Sequence, residues 1–136
     1  MQLATSIAQW VVRLTGVTQV TLGLLFWSGR AYTLLPLHML IGMVFVIGLW
    51  VLAGLAGRSG LRMRWVPLAV SWGIVVPAFG IVHPRLLPGP DHWIVRVIHL
   101  LIGVAAMVIA AKLAGYVRRR RGVAQPAADT DVLSAA

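Results

Sequence analysis

Hydrophobic residues fill four long blocks of the chain, and short clusters of arginine, glycine and proline separate these blocks. The blocks cover about residues 5–28, 32–56, 65–82 and 91–117. With a helical rise of about 1.5 Å per residue, each block is long enough to cross an apolar layer of roughly 30 Å. Because the connections are short, neighbouring helices should be antiparallel. We therefore predict an all-α fold, a transmembrane four-helix bundle with up-down-up-down topology.

The pattern changes after the fourth block. Residues 122–136 are rich in alanine, proline and aspartate and offer little apolar surface to bury. We therefore predict a four-span transmembrane domain over residues 1–121 and a disordered cytoplasmic tail over residues 122–136. No lysine or arginine precedes the first block and no small-residue cleavage site follows it, so we expect a retained helix rather than a signal peptide.

Composition agrees with a membrane protein and excludes several classes of site. Hydrophobic residues make up 60% of the chain and charged residues 11%, whereas a soluble domain of this size needs roughly twice that charged fraction. There is no cysteine, which excludes disulfides, thiolate metal sites and cysteine nucleophiles. The acidic residues are Asp91, Asp129 and Asp131; Asp91 stands at the very start of the fourth block, and none lies in the interior of a block. This distribution disfavours a proton-coupled carrier built on a buried carboxylate.

The net charge of +9 comes from basic residues that flank the apolar blocks. We interpret them as topology determinants and anchors for anionic lipid, with no nucleic-acid partner. One side of the bundle carries seven arginines in its connections, namely Arg58, Arg62, Arg64, Arg118, Arg119, Arg120 and Arg121. The other side carries only Arg30 and Arg85. The positive-inside rule then predicts a multi-pass protein of a bacterial-type inner membrane with both termini in the cytoplasm.

The second and fourth blocks contain a related segment in which glycine follows histidine by four residues. The histidines are His38 and His99, and the glycines are Gly42 and Gly103. Because the two helices run in the same direction, both imidazoles are expected at similar depth in the outer third of the membrane. An imidazole in apolar surroundings needs a partner, and a metal between two imidazoles provides one for both. Glycine on the same helical face leaves room for a flat macrocycle.

Haem iron accepts two axial nitrogens on opposite faces of its ring, so this pair of histidines predicts one bis-histidine haem b. Arg96 lies on the same stripe as His99, and no span offers an acid to pair with it. Haem propionates are the expected counter-ion, with Arg30 or Arg85 as a helper. His83 and His92 are expected at loop level, where they are candidates for a quinone or outer-face site.

A second interpretation accounts for the same residues without a cofactor. Each histidine–glycine pair is then a small-residue packing face, with the imidazole bonded to a backbone carbonyl or hydroxyl across the helix interface. Arg96 would extend to the outer headgroups. The chain would be a non-catalytic integral membrane subunit or assembly factor of a larger complex. A small transporter ranks last, because the four-span multidrug exporters that this chain resembles in size depend on a carboxylate in the first span.

Histidines on alternate helices, each followed by a glycine on its own face, resemble the membrane-bound b-type cytochromes. That group includes bacterial cytochrome b561-like proteins and the haem-binding anchor subunits of respiratory enzymes. The resemblance rests on His38, Gly42, His99, Gly103 and Arg96. It implies one-electron transfer with quinone or a partner protein rather than catalysis on a separate substrate. Many members stack two haems on four ligands, whereas here the inner half has no histidine, which favours electron exchange at one surface. A glycine-rich helix face also suits a homo-oligomer.

Overall fold

The computed structural model describes residues 2–60 and 64–123, with the side chains of residues 3–60 and 64–120. Its helices are α1 (Gln2–Trp27), α2 (Leu35–Arg58), α3 (Trp65–Val82) and α4 (His92–Val123). Short 3-10 turns precede α2, at Tyr32–Leu34, and follow α3, at His83–Arg85. No strand occurs in the described ranges. The predicted all-α fold with four helices is confirmed.

Proline and glycine set the helix boundaries. Pro36 occupies the first turn of α2, where its missing N–H and fixed φ cost nothing. Beyond the end of α2, Gly60 adopts a φ of 78°, a left-handed conformation that glycine takes without a Cβ penalty. Pro84 lies in the 3-10 turn after α3, and Gly89, with a φ of 113°, lies in the connection to α4. These residues give the short connections of an antiparallel bundle.

Helix α4 is longer than the hydrophobic pattern predicts. It continues through Gly122 to Val123, two residues past the predicted end of the transmembrane domain. The added turn contains consecutive arginines, which are good helix formers and need no apolar partner. The rest of the predicted tail, residues 124–136, lies outside the described residues.

The helices form an antiparallel bundle in which each helix packs against the next and α4 packs against α1. Helices α2 and α4 also contact each other across the bundle. Both begin at the end formed by residues 28–34 and 83–91, which we call the histidine end. The opposite end carries Arg58, Arg64, Arg118, Arg119 and Arg120, and we call it the arginine end.

The most tightly packed part of the core lies in the half nearer the arginine end. The largest fully buried side chains there belong to α2 and α4, and they are Val46, Leu49, Leu52, Leu113 and Val117. Many large hydrophobic side chains elsewhere are exposed, among them Leu40, Ile81 and Leu101. All four helices are long and apolar enough to span a membrane. The chain is a multi-pass membrane protein whose apolar outer surface suits contact with lipid.

Two tryptophans join the helices through their indole nitrogens. Trp50 Nε1 on α2 donates a hydrogen bond to the carbonyl of Val70 on α3, at 3.2 Å. Trp72 Nε1 on α3 donates to the carbonyl of Ile102 on α4, at 3.0 Å. Because Ile102 lies one turn from His99, the second bond fixes α3 against α4 close to the histidine end.

Candidate functional site

All four histidines of the chain gather at the histidine end. His38 lies in the first turns of α2, His83 directly follows α3, and His92 and His99 lie in the first turns of α4. The ring centroids of His38 and His99 are 6.5 Å apart. The ring of His83 lies 5.0 Å from that of His99 and 6.0 Å from that of His92. The imidazoles therefore form one continuous row, which we call the histidine row.

The structure brings His38 and His99 side by side and adds His83 and His92 to the same cluster. The sequence places these last two at loop level, with His92 on the same α4 stripe as His99 and His83 linked to neither inner histidine. His83 joins the cluster because the 3-10 turn at His83–Arg85 contacts α4. The imidazole of His83 then stacks on that of His99, with their planes inclined by 11°.

Backbone carbonyls hold the two outer histidines. His83 Nδ1 lies 2.9 Å from the carbonyl oxygen of Gly80, and His92 Nδ1 lies 3.0 Å from that of Leu86. Because a carbonyl only accepts, each Nδ1 carries the hydrogen and donates it. In the neutral imidazole, Nε2 of each ring then keeps a free lone pair. These rings are therefore fixed in place with their second nitrogen available.

The two inner histidines differ from the outer ones. Nδ1 of His38 and Nδ1 of His99 are both buried, and neither has a hydrogen-bond partner among the described residues. A buried polar atom without a partner costs about 1–3 kcal/mol. Two such atoms on facing rings mark a place where a bound group would relieve a cost that the protein alone leaves in place.

Aromatic side chains surround the inner histidines. The ring of Phe26, near the end of α1, meets that of His38 edge-on, with centroids 5.3 Å apart. The ring of Phe79 on α3 lies 5.8 Å from that of His99, with planes inclined by 13°. Sequence patterns did not single out these phenylalanines, because helical spacing alone does not show which way α1 and α3 are rotated in the bundle.

The two glycines of the repeated segment have different surroundings. A Cβ atom built on Gly42 would lie 2.5 Å from Nε2 of Gln19, so the amide of Gln19 on α1 occupies this space. Oε1 of Gln19 is itself buried without a partner. A Cβ atom built on Gly103 would meet nothing within 4 Å. Open space therefore lies beside Gly103, whereas the space beside Gly42 holds a flexible polar side chain.

The candidate arginines lie near the histidine row without a protein counter-ion. Arg96 is half-buried on α4, between His92 and His99 in sequence, and Arg30 is exposed just after α1. Asp91 is the one acidic residue of the described ranges, and it forms no ion pair there with either guanidinium. The charges of Arg96 and Arg30 are thus available to an anionic group, as is that of Arg85 in the 3-10 turn at the same end.

The donor set fits a metal that takes two nitrogens rather than three or more ligands. Within residues 2–60 and 64–123, no three histidine or acidic side chains are arranged to hold a metal ion. Two imidazoles that share a metal at about 2.0–2.1 Å from each nitrogen have ring centroids roughly 6–6.5 Å apart. The rings of His38 and His99, at 6.5 Å, match this separation. These two histidines would hold an iron that binds one nitrogen from each of them.

The chain matches no protein-family model, and comparisons with curated proteins and with solved structures find no match. Any functional assignment therefore rests on the side chains of the histidine end and on their geometry.

Proposed function

We propose that this chain is a membrane b-type cytochrome that binds one haem b between His38 and His99 and exchanges single electrons. The observation that carries the proposal is the pair of buried, unpartnered Nδ1 atoms on two facing imidazoles whose rings are 6.5 Å apart. When bound, haem supplies a one-electron redox couple that no side chain of this protein provides.

The remaining residues of the site have supporting roles. Gly103 leaves open space on the face of α4 that carries His99. Phe26 and Phe79 contact the two imidazoles and restrict their rotation. Arg96 and Arg30 offer positive charge to the propionates, and charge-assisted bonds of this kind are about twice as strong as neutral ones.

The direction of the chain in the membrane follows from its arginines. The arginine end is placed in the cytoplasm of a bacterial-type inner membrane by the positive-inside rule, and the histidine end then faces outward. A haem held there exchanges electrons at one surface, with quinone or a partner protein. His83 and His92 extend the histidine row from His99 toward exposed residues 84–91, where such a partner has access.

One observation favours the alternative of a haem-free membrane subunit or assembly factor. The side chain of Gln19 fills the space beside Gly42, as a small-residue packing face between α1 and α2 requires. The same interpretation expects a close neighbour at Gly103, and none lies within 4 Å of a Cβ built there. The proposed cytochrome accounts for that open space and for the two unpartnered imidazoles.

Absorption spectra of the purified chain test the proposal. Protein from haem-replete cells should be red, with a Soret band, and should show sharp α and β bands after reduction with dithionite. The haem extracted per chain should approach one, because the described residues offer one facing pair of unpartnered imidazoles. A folded, monodisperse and colourless preparation from the same cells would refute haem binding.

Replacing Gly103 by leucine separates the two interpretations. Because nothing lies within 4 Å of the added Cβ, Gly103→Leu should fold with unchanged helicity and thermal stability. The leucine occupies the open space next to the proposed macrocycle, and steric overlap of about 1–3 kcal/mol should lower haem occupancy roughly tenfold. The matched control is Gly54→Leu, on α2, because a Cβ atom on Gly54 also meets nothing within 4 Å. This variant should keep full haem occupancy. Unchanged haem content in Gly103→Leu would contradict the role given to this glycine.

A further inference from the structure

A groove of about 250 Å³ lies at the arginine end between α3 and α4. We call it the basic groove, and its lining residues are Trp65, Lys112, Leu113, Tyr116 and Arg119. The α4 residues among them are spaced at i, i+1, i+4 and i+7, so they line one face of the helix. The proposed haem site lies at the other end of the bundle, so the basic groove is independent of it.

Cations cluster on the two aromatic rings of the basic groove. Nζ of Lys112 lies 5.3 Å from the ring centroid of Trp65, and the guanidinium carbon of Arg64 lies 6.0 Å from the same ring. Arg120 donates a hydrogen bond of 2.9 Å from Nε to the hydroxyl of Tyr116. Asp91, the one acid of the described ranges, lies at the opposite end of the bundle. Among residues 2–60 and 64–123, the positive charge of the groove therefore has no carboxylate to balance it.

The basic groove lies at the depth of the lipid headgroups. Trp65 is the first residue of α3, and tryptophan at the end of a span typically marks the membrane–water interface. Because Lys112 contacts this indole, its ammonium lies at the same level even though the hydrophobic pattern continues past it to residue 117. The hydroxyl of Tyr116 donates a hydrogen bond of 2.9 Å to the carbonyl of Gly60, which lies two residues beyond the end of α2. This bond joins α4 to the connection that follows α2.

Apolar surface continues from the groove toward the middle of the membrane. Leu68, one turn along α3 from Trp65, is 39% exposed, and Val108, one turn before Lys112, is 48% exposed. An occupant therefore meets cations at one end and hydrocarbon-facing side chains at the other. A phospholipid has this arrangement of charge and apolar chains, whereas free phosphate does not.

We propose that the basic groove binds the phosphate of an anionic phospholipid from the leaflet at the arginine end. Lys112 and Arg119 are the residues that pair with the headgroup phosphate, and Trp65 and the exposed Leu68 contact the first carbons of the acyl chains. A basic pocket between transmembrane helices is a site of the kind that selects anionic headgroups. The groove differs from a diffuse positive surface because the rings of Trp65 and Tyr116 hold Lys112, Arg64 and Arg120 at one place.

The double variant Lys112→Gln/Arg119→Gln tests the proposal against a control with the same loss of charge. The control is Arg13→Gln/Arg58→Gln, which changes two exposed arginines outside the groove. Arg13 lies at the depth of Lys112, because Gln9 accepts a hydrogen bond from Arg118 and a Cβ on Gly16 would meet Met107. Both variants should keep the helicity and monodispersity of the unmodified chain.

Native mass spectrometry of the full chain in detergent, titrated with phosphatidylglycerol or phosphatidylcholine, provides the measurement. The unmodified chain should retain one phosphatidylglycerol in preference to phosphatidylcholine. At about 1 kcal/mol per basic residue, Lys112→Gln/Arg119→Gln should weaken this binding roughly ten- to thirtyfold. The control pair should change it less than about twofold, and Lys112→Arg, which keeps the cation, should bind as the unmodified chain does.

Three results would overturn the proposal. Equal weakening by both double variants would show that net charge alone attracts the lipid. Equal retention of phosphatidylglycerol and phosphatidylcholine would show that the groove does not select an anion. Displacement of phosphatidylglycerol by millimolar inorganic phosphate would identify a soluble phosphate as the ligand instead. Failure of the haem proposal would change none of these measurements, since they are made at the other end of the bundle.

Discussion

Replacing His99 by leucine is expected to remove haem from the protein completely, with loss of the Soret band and of the reduced α and β bands. His99 is the ring on which the site converges, because it lies against His38, His83 and Phe79. Loss of residues that only orient a metal ligand typically lowers affinity 10–100-fold, so loss of the ligand itself should lower haem affinity by more than about 100-fold. His38→Leu should have the same effect.

Folding and ligation are separable in these two variants. Each removes a buried Nδ1 that has no partner among the described residues, and leucine replaces the imidazole with apolar atoms of similar size. The haem-free variants should therefore keep the helicity and thermal stability of the haem-free unmodified chain. The measurement combines reduced-minus-oxidised spectra with circular dichroism on the same samples.

The outer histidines supply the matched controls for this series. His83→Ala and His92→Ala should leave the spectrum intact, because carbonyls already hold Nδ1 of these rings and neither is one of the proposed ligands. His92→Ala should lower the rate of reduction by quinol if the partner approaches from this end. A spectrum lost in these two variants and kept in His38→Leu would assign the iron to the outer pair instead.

The sequence predicts the fold well because lipid imposes strong constraints on it. A span must satisfy its backbone hydrogen bonds internally and must be about 20 apolar residues long, so length and hydropathy suffice to count helices. The approximate bounds of α3, residues 65–82, coincide with the helix in the structure. The end of α4 was harder to predict, because consecutive arginines continue a helix without leaving any trace in a hydrophobic pattern.

The sequence predicts the candidate site only where the depth of a residue in the membrane is enough to determine its neighbours. His38 and His99 become neighbours because each lies in the first turns of a helix that starts at the same end, and those helices pack together. The rotation of each helix about its own axis cannot be predicted in this way, since almost every face of these spans is apolar. For that reason the sequence did not show that Gln19 covers Gly42, or that Phe79 faces His99.

The shift of one helix relative to its neighbour along the membrane normal is equally difficult to predict from a single sequence. Lys112 lies inside the apolar block of residues 91–117, yet it contacts Trp65 at the first residue of α3. The offset depends on how far α4 extends past its neighbours, and this follows from packing in the core rather than from hydropathy. The basic groove therefore emerged only from the structure.

Gly48→Leu is expected to destabilise the core strongly, and a second glycine of α2 provides a matched control. A Cβ atom on Gly48 would lie 2.8 Å from Cγ2 of Val12 and 3.8 Å from the backbone oxygen of Ala8 on α1. Valine has few alternative rotamers in a helix, so its Cγ2 atom cannot easily turn away from the added side chain. Because close packing provides much of the attraction between helices in a bilayer, separating α1 from α2 removes that attraction directly.

The control is Gly54→Leu, six residues further along α2, where a Cβ meets nothing within 4 Å. Both substitutions raise helix propensity by up to about 1 kcal/mol, so this gain cancels in the comparison. The free energy of unfolding, measured by titration with denaturing detergent in mixed micelles, should then be lower in Gly48→Leu by about 3 kcal/mol. Equal stability of the two variants would mean that α1 does not pack against α2 at this point. Since Phe26 of α1 contacts the ring of His38, loosening the contact between α1 and α2 should also lower haem occupancy in Gly48→Leu and leave it unchanged in Gly54→Leu.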